Sequence, residues 1–211
     1  MQAVRTYQDM WAHSVRIRPA RRARSGHSGR MTMPKTRIAD AVVYDIVESP
    51  LGRLLLLGDG ESLCGLVMQR DEEPHVVPPG SRRSHDAFRA ALVQLGEYFA
   101  GERRAFDLPL KLAGTPFQHR AWRALREIPY GTTRTYSQQA RSIGRPAAAR
   151  AIGAANARNP IPIIIPCHRV IGHDGSLTGF GGGLERKRYL LAHEGRVPET
   201  GTCSSKREVK R

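Results

Sequence analysis

The period of the hydrophobic pattern changes near residue 111, and this change constrains the fold more than any other feature of the chain. Short apolar runs typical of strands lie before it, at residues 41–47, 53–57, 63–68 and 107–112. Turn residues separate the first three runs, as in an antiparallel meander. A helix is also predicted there from four apolar residues at helical spacing, namely Phe88, Leu92, Leu95 and Phe99. The first part of the chain is therefore predicted to be a small α+β unit.

The pattern after residue 111 is helical. Thr115 and Pro116 suit the N-cap and the first position of a helix. Residues 136–143 and 146–157 then predict two short helices, with Gly144 in the turn between them. Two short helices joined by such a turn are typical of a helix-turn-helix. The fold class predicted for the whole chain is α+β, with the α-rich part last.

The charge of the chain changes at the same place as the pattern. Of a formal net charge of +15, residues 39–110 carry −5, residues 111–198 carry +10 and residues 1–38 carry +8. A basic protein suits a polyanionic partner such as nucleic acid. Arginine makes up 29 of the 34 cationic side chains, however, which the codon composition of a genome would also produce. The distribution restricts the DNA interpretation to the second unit.

We predict four segments. They are a basic disordered arm at residues 1–38, a first domain at 39–112, a second domain at 113–198 and a disordered tail at 199–211. A start of translation at Met31 or Met33 is the alternative explanation of the arm. No secretory leader is recognised, no apolar run is long enough to span a membrane, and the three cysteines have no CxxC spacing. We expect a bacterial cytoplasmic protein without a disulfide framework.

The candidate chemistry lies in residues 159–170. Prolines at both ends of an isoleucine run predict a rigid strand that ends at Cys167, and His168 follows directly. Adjacent side chains point apart, so this pair alone does not make a catalytic dyad. A glycine-rich loop follows at residues 179–183, where the lack of Cβ atoms permits the close approach of a ligand. Cys64, inside a strand pattern, is interpreted as a buried packing residue.

The second short helix of the predicted pair is unusually slim. Residues 147–155 are alanine or glycine except for Arg150 and Ile152. A smooth helix with one cation suits a DNA minor groove, where sequence readout is weak. Packing between helices explains the alanines as well, with Arg150 as a solvated charge. These residues alone leave both interpretations open.

Four short motifs occur in a fixed order. They are IPYG at residues 128–131, AARAIG at 148–153, PCHRV at 166–170 and LLAHEG at 190–195. With these motifs the chain resembles the O6-alkylguanine-DNA alkyltransferases, also called methylated-DNA–protein-cysteine methyltransferases, over residues 42–196. The resemblance implies a ribonuclease-H-like first domain and a winged-helix-like second domain.

The resemblance also implies DNA repair by direct reversal. The protein would flip O6-alkylguanine, chiefly O6-methylguanine and also O4-methylthymine, out of the duplex and transfer the alkyl group irreversibly to one of its own cysteines. Each molecule would react once. The implied partner is double-stranded DNA, bound in the minor groove largely without sequence preference. We expect a nucleoid-associated monomer, with cooperative binding left open.

The resemblance assigns roles to five residues above all. Cys167 matches the alkyl acceptor, His168 the residue that takes its proton through a bridging water, and Glu194 the carboxylate that orients this imidazole. Tyr136 matches the residue that supports base flipping and donates a proton to the leaving guanine. Arg150 matches the finger that fills the gap left in the base stack.

Other matched positions contact DNA or shape the substrate site. Those on the slim helix are Ala149, Ala151 and Gly153, and those around the site are Asn159, Val170, Phe180 and Gly181. Asn159 matches the residue that stabilises the turn before the cysteine, and Val170 matches a main-chain carbonyl that reads the guanine edge. Phe180 and Gly181 replace Tyr and Ser of some members, which leaves the range of alkyl groups open.

No cofactor is implied, because the damaged DNA is itself the alkyl donor, and no metal, because the first domain has only Cys64 to offer. Two alternatives remain. One is an alkyltransferase-like protein that binds lesions without transfer, although such proteins lack the acceptor cysteine that this chain has. The other is a helix-turn-helix regulator, which the alanine-rich helix disfavours.

Overall fold

The computed structural model describes residues 43–69 and 76–195. The predicted arm at residues 1–38 and the predicted tail at residues 199–211 lie outside the described residues. Among the helices of residues 43–69 and 76–195, none has the length and apolar character needed to cross a membrane.

A four-stranded sheet forms the N-terminal domain. β1 (Val43–Val47), β2 (Leu54–Gly58) and β3 (Leu63–Met68) make the predicted antiparallel meander. The short β4 (Arg82–Arg83) adds a parallel pairing to β1, so that the order is β3-β2-β1-β4. β2 is buried along its whole length because it lies inside the sheet. β4 was not predicted, since two arginines carry no strand pattern.

The prediction of a strand at residues 107–112 is wrong. This segment makes a single bridge to the sheet, between Leu110 and Leu63. Leu63 N donates to Pro109 O, and Lys111 N donates to Leu63 O, so the segment follows the edge of β3 for a short distance. Proline at 109 has no N–H with which to extend the ladder.

One helix packs on the sheet. α1 (Arg89–Phe99) follows a 3₁₀ turn at Asp86–Phe88 and buries the predicted apolar face, together with Tyr98. Gly101, with φ of +80°, ends it in the conformation that favours glycine. Tyr98 is fully buried, although its position beside Phe99 gave no sign that its hydroxyl would be.

Three helices make the core of the second domain. α2 (Pro116–Arg126) begins as predicted, because the Thr115 side chain accepts from Gln118 N and the Gln118 side chain accepts from Thr115 N. α3 (Tyr136–Ser142) and α4 (Ala149–Asn156) pack against each other and against α2. They are the predicted helix-turn-helix pair. The indole Nε1 of Trp122 donates to Ala155 O at 2.9 Å and ties α2 to α4.

α4 is shorter than expected. The pattern predicted a helix from residue 146, but Pro146 and Ala147 lie in a turn and the helix begins at Ala149. Proline restricts the residue before it to extended conformations, so the chain turns before it can enter the helix.

The prediction of an isoleucine strand before Cys167 is also wrong. Residues 161–165 form a tight turn in which Ile165 N donates to Ile161 O, and Ile163 has a φ of +77°. Prolines at 160, 162 and 166 have no N–H to donate, so a ladder cannot form. Burial of the isoleucines offsets this strain, and all of them are buried.

One hydrophobic core runs through both domains. It combines buried side chains of the sheet and α1 with Trp122, Leu125, the isoleucine turn and Leu190 of α5 (Leu184–His193). Leu66 N of β3 donates to Pro160 O at 2.8 Å, so the sheet edge also holds the segment that leads to Cys167. The short β5 (Arg134–Thr135) and β6 (Val170–Ile171) pair in parallel beside it. The position of Cys167 thus depends on both domains.

Candidate active site

Cys167 begins a 3₁₀ turn, Cys167–Arg169, that follows the isoleucine turn, and it is buried. Burial raises the pKa of its thiol, while a hydrogen bond from the Asn159 side chain and the charge of Lys187 lower it, and burial dominates. The thiol of the free protein is therefore protonated at neutral pH. A thiol in this state needs a base before it can act as a nucleophile.

Asn159 holds the turn that carries Cys167. Its side-chain Nδ2 donates to Ile165 O at 2.7 Å, and its Oδ1 accepts from Ile161 N at 3.1 Å. The same side chain hydrogen-bonds Cys167. One amide thus holds both ends of the turn and the cysteine beyond it.

His168 pairs with Glu194. The two residues lie 26 positions apart, and His168 Nε2 donates to Glu194 Oε1 at 2.9 Å with both side chains fully buried. Burial lowers the pKa of His168, so the imidazole is neutral near pH 7, and the proton on Nε2 leaves a lone pair on Nδ1. Within residues 43–69 and 76–195, Nδ1 of His168 is the one buried side-chain nitrogen or oxygen without a hydrogen-bond partner. The ring is equipped to accept a proton there.

The carboxylate of Glu194 accepts five hydrogen bonds. Those to Oε1 come from Tyr98 Oη (2.8 Å), His168 Nε2 (2.9 Å) and Arg169 Nη2 (2.9 Å), and those to Oε2 from Arg169 Nε (2.8 Å) and Gly131 N (3.2 Å). Burial alone would raise the pKa of Glu194, but the bonds from His168 and Arg169 outweigh it and hold the pKa well below its ordinary value. Glu194 is a fixed anion.

Arg169 and Tyr98 are parts of this cluster that the sequence did not reveal. Arg169 stands in the PCHRV motif, yet no role was assigned to it, although a buried carboxylate requires a counter-charge. Its Nη1 also donates to Ile128 O at 2.6 Å, which orients the guanidinium. Tyr98 belongs to the N-terminal domain, so one side chain of the first domain reaches this carboxylate.

Lys187 is a further buried cation that the sequence did not single out. Its Nζ donates to Val170 O at 2.6 Å and to Thr178 O at 2.7 Å. Burial lowers the pKa of Lys187 to about 8, and the nearby Cys167 opposes this shift. The ammonium therefore connects the strand after the cysteine to the loop at residues 178–183. The position of a lysine inside α5 gave no signal of burial.

Tyr136 and the glycine-rich loop lie together. Tyr136 begins α3, is half-buried, and its hydroxyl donates to Thr178 O at 3.2 Å. A Cβ atom at Gly153 or Gly179 would come within 4 Å of this tyrosine, so the two glycines leave space beside its ring. Phe180 packs on the shared core, whereas Gly181 is exposed.

The exposed face of the slim helix α4 carries one long side chain, Arg150, among short ones. Arg150, Ala151 and Ala154 are exposed, and Ala149 and Gly153 are half-buried. The opposite face buries Ile152, Ala155 and Asn156 against α2 and α3. Packing between helices therefore accounts for Ala155 but not for Ala151 or Ala154.

Comparisons with known proteins find relatives that cover both domains. Residues 42–112 match the ribonuclease-like domain of 6-O-methylguanine DNA methyltransferase, and residues 116–196 match the DNA-binding domain of the same family. The chain is 51% identical over 152 residues to a methylated-DNA–protein-cysteine methyltransferase of Methanosarcina acetivorans, covering 72% of this chain and 97% of that protein. A protein of the same name from Mycolicibacterium paratuberculosis is 52% identical over 155 residues, 74% of this chain and 93% of that one.

Solved structures show the same similarity. The crystal structure of Mycobacterium tuberculosis OGT in complex with DNA superposes with a TM-score of 0.68 at 49% identity, and covers 75% of this chain and 96% of that one. The crystal structure of Mycobacterium tuberculosis O6-methylguanine methyltransferase gives a TM-score of 0.66 at 50% identity, over 74% and 94% of the two chains.

Proposed function

The chain belongs to the O6-methylguanine DNA methyltransferase family, and on that premise we propose that it repairs O6-alkylguanine in DNA by moving the alkyl group onto its own Cys167. It is an enzyme of DNA repair, a methylated-DNA–protein-cysteine methyltransferase, and it binds DNA. One observation carries the assignment of the acceptor. The buried Cys167 is followed by a neutral His168 that is held through Nε2 and unpaired at Nδ1.

The first step of the reaction is removal of the thiol proton. His168 accepts this proton at Nδ1 through a bridging water and becomes imidazolium, and the Glu194 carboxylate stabilises the new charge through Nε2. Support comes from the fixed anionic state of Glu194, which cannot itself take the proton. Lys187 stabilises the thiolate that forms, because its charge lowers the pKa of Cys167.

The second step is the transfer itself. The Cys167 thiolate attacks the alkyl carbon in line, an S–C bond forms, and the bond between that carbon and guanine O6 breaks. The guanine leaves with the electron pair and takes up one proton, which Tyr136 supplies towards O6 or N3. The proton lost by the thiol equals the proton gained by guanine, so the net products are guanine and a thioether. No described group can hydrolyse a thioether, so each molecule acts once.

The substrate reaches Cys167 by base flipping. We propose that the exposed face of α4 lies in the minor groove, with Arg150 filling the gap in the stack and with Ala149, Ala151 and Gly153 permitting close approach. Asn159 keeps the cysteine turn in place. The main-chain carbonyl of Val170 reads the guanine edge, and Phe180 and Gly181 border the alkyl group in the loop.

The finer features of the proposal follow the same reasoning. We propose that the protein is a monomer. We also propose a domain boundary between residues 112 and 113, which the two separate family matches support. We propose that it acts at the nucleoid in the bacterial cytoplasm, where the DNA that it would repair lies. Binding to duplex DNA largely without sequence preference is supported by the short side chains on α4, which offer few groups for base readout.

Incubation with duplex DNA that carries O6-[³H-methyl]guanine tests the function. We expect one methyl group per protein molecule, no further transfer when fresh substrate is added, and all of the label in the tryptic peptide of residues 159–169, which contains Cys167. Cys64 and Cys203 lie in other tryptic peptides, so the map separates the three cysteines. Label on another peptide, repeated turnover, or transfer by a Cys167→Ala variant contradicts the proposal. Binding without transfer would instead favour the lesion-binding alternative.

Arg150→Ala tests the role of the finger. Base flipping costs a few kcal/mol, and we expect loss of the residue that fills the gap to slow repair of duplex DNA by about tenfold to a hundredfold. Transfer from free O6-methylguanine, which needs no flipping, should stay within about twofold of the wild-type rate. A tenfold loss on duplex DNA alone would correspond to about 1.4 kcal/mol.

Arg158→Ala is the matched control for the loss of one cation. Arg158 is also exposed and lies just beyond α4, with its side chain turned back to Ala154 O. It should weaken duplex binding slightly and in a salt-dependent way, without slowing repair at saturating DNA. Equal slowing by both variants would mean that Arg150 acts only as a charge.

A further inference from the structure

The N-terminal domain contributes one side chain to the catalytic cluster. Tyr98 lies in the last turn of α1, where it is fully buried among the rings of Phe99, Phe106 and Tyr130. Its hydroxyl donates to Glu194 Oε1 at 2.8 Å. Oε1 is the same oxygen that accepts from His168 Nε2. Two hydrogen bonds that share Oε1 therefore connect the Tyr98 hydroxyl to the imidazole that serves as the base.

Two consecutive residues at the end of α5 hold Tyr98 at both of its polar ends. His193 Nε2 donates to Tyr98 O at 2.7 Å, and Glu194 Oε1 accepts from the hydroxyl. The tyrosine ring, packed between these two bonds, has no freedom to turn its hydroxyl away. Burial, together with the charge of Glu194, raises the pKa of Tyr98, so the hydroxyl stays protonated and remains a donor.

We propose that Tyr98 is a positioning residue of the transfer reaction, which fixes the Glu194 carboxylate in the orientation that holds His168 and withdraws negative charge from Oε1. This inference rests on the proposed function of Cys167, His168 and Glu194. It goes beyond that function because it makes the first domain part of the proton relay rather than a support for the second.

The effect on pH dependence follows from the charges around the pair. Several titratable and charged groups face His168 and Glu194. Cys167 and Arg169 lie in the same turn as His168, and Lys187 lies on α5. Tyr98 comes from α1, Tyr130 from the turn after α2, and Arg104 lies over the ring of Tyr130. Arg169 and Lys187 oppose protonation of His168, and Glu194 favours it. Loss of the Tyr98 hydroxyl leaves more negative charge on Oε1, which stabilises the imidazolium and raises the pKa of His168.

Tyr98→Phe, which keeps every ring atom, tests the proposal. The rate of methyl transfer from free O6-methylguanine to Cys167 is measured from pH 5 to pH 9 in the full chain, and we expect the acid limb of the profile to move to higher pH by about 0.5 to 1 unit. A ¹H–¹⁵N NMR titration of the His168 ring should show a shift in the same direction. The NMR titration needs no activity, so it keeps the test independent of the reaction.

Tyr130→Phe is the matched control. Its hydroxyl donates to a main-chain acceptor, His193 O at 3.1 Å, rather than to the carboxylate. Tyr130→Phe loses one hydrogen bond, as Tyr98→Phe does, so its Tm should fall by an amount similar to that of Tyr98→Phe. The acid limb of its pH profile should stay in place. An unmoved acid limb and an unmoved His168 titration in Tyr98→Phe would overturn the proposal, while the proposed function would stand. A wild type that transfers no alkyl group would overturn the proposed function itself.

Discussion

Glu194→Gln should slow alkyl transfer by about a hundredfold to ten-thousandfold, the range that a positioned acid–base group contributes. A carboxylate can accept at both oxygens, whereas an amide presents an NH₂ group on one side. Oε1 faces three donors and Oε2 faces two, so either orientation of the glutamine places N–H against N–H or O–H donors. The imidazolium of His168 would also lose its counter-charge. Single-turnover kinetics with O6-methylguanine in duplex DNA measure the loss.

The same change should lower the free energy of unfolding by about 3–5 kcal/mol, because it leaves the buried charge of Arg169 without its partner. For a chain of this length that corresponds to a fall in Tm of about 10 °C. The low pKa of Glu194 in the folded protein adds a pH dependence. Its contribution is complete above the ordinary pKa of 4.5 and is lost as the pH falls below that value, because the unfolded state then binds a proton that the folded state does not.

Glu185→Gln provides the control on the same helix. Glu185 is exposed and pairs with Arg188 one turn along α5, a contact worth little in water. It should change neither the transfer rate nor the Tm by a measurable amount. Denaturant unfolding of both variants at pH 7 and at pH 3.5 checks the stability argument, since the gap between wild type and Glu194→Gln should narrow at the lower pH. A constant gap would mean that Glu194 is not the titrating group.

The sequence was sufficient where local chemistry decides the structure. Thr115 with Pro116 marked the start of α2, and the alternating runs marked the meander, because caps, turns and side-chain periods act over a few residues. The sequence led to a wrong prediction where proline and tertiary packing oppose the hydrophobic pattern. Residues 161–165 have the composition of a strand, yet three prolines and burial on all sides turn them into a strained loop.

The candidate site was predictable only in part, for a related reason. Cys167, His168 and Glu194 stand in recognisable motifs, and the structure brings His168 and Glu194 together. Tyr98 and Lys187 stand in ordinary helix patterns. A tyrosine in the last turn of one helix and a lysine inside another acquire their roles only when folding buries them beside a charged partner or a main-chain oxygen, and no local pattern records that event.

Lys187→Met should slow transfer by about 10- to 100-fold, the size expected when hydrogen bonds from a buried charged group are lost. Methionine keeps the length and the apolar stem of the side chain, so the core stays filled. Val170 O and Thr178 O each lose the ammonium as a donor, and Thr178 O keeps the hydrogen bond from the hydroxyl of Tyr136. The thiolate of Cys167 also loses the cation that lowers its pKa.

The pH dependence of this variant distinguishes the charge of Lys187 from its hydrogen bonds. The pKa of Lys187 is about 8, so the wild type itself loses the ammonium charge above that pH while the neutral amine still donates. The ratio of wild-type to variant rates should therefore be largest near pH 7 and fall towards a lower plateau near pH 9. Arg188→Met, which removes an exposed cation from the neighbouring position, is the control and should give a ratio near one throughout. A ratio for Lys187→Met that is the same at both pH values would show that the lysine acts through its hydrogen bonds alone, and that the thiolate is formed without help from its charge.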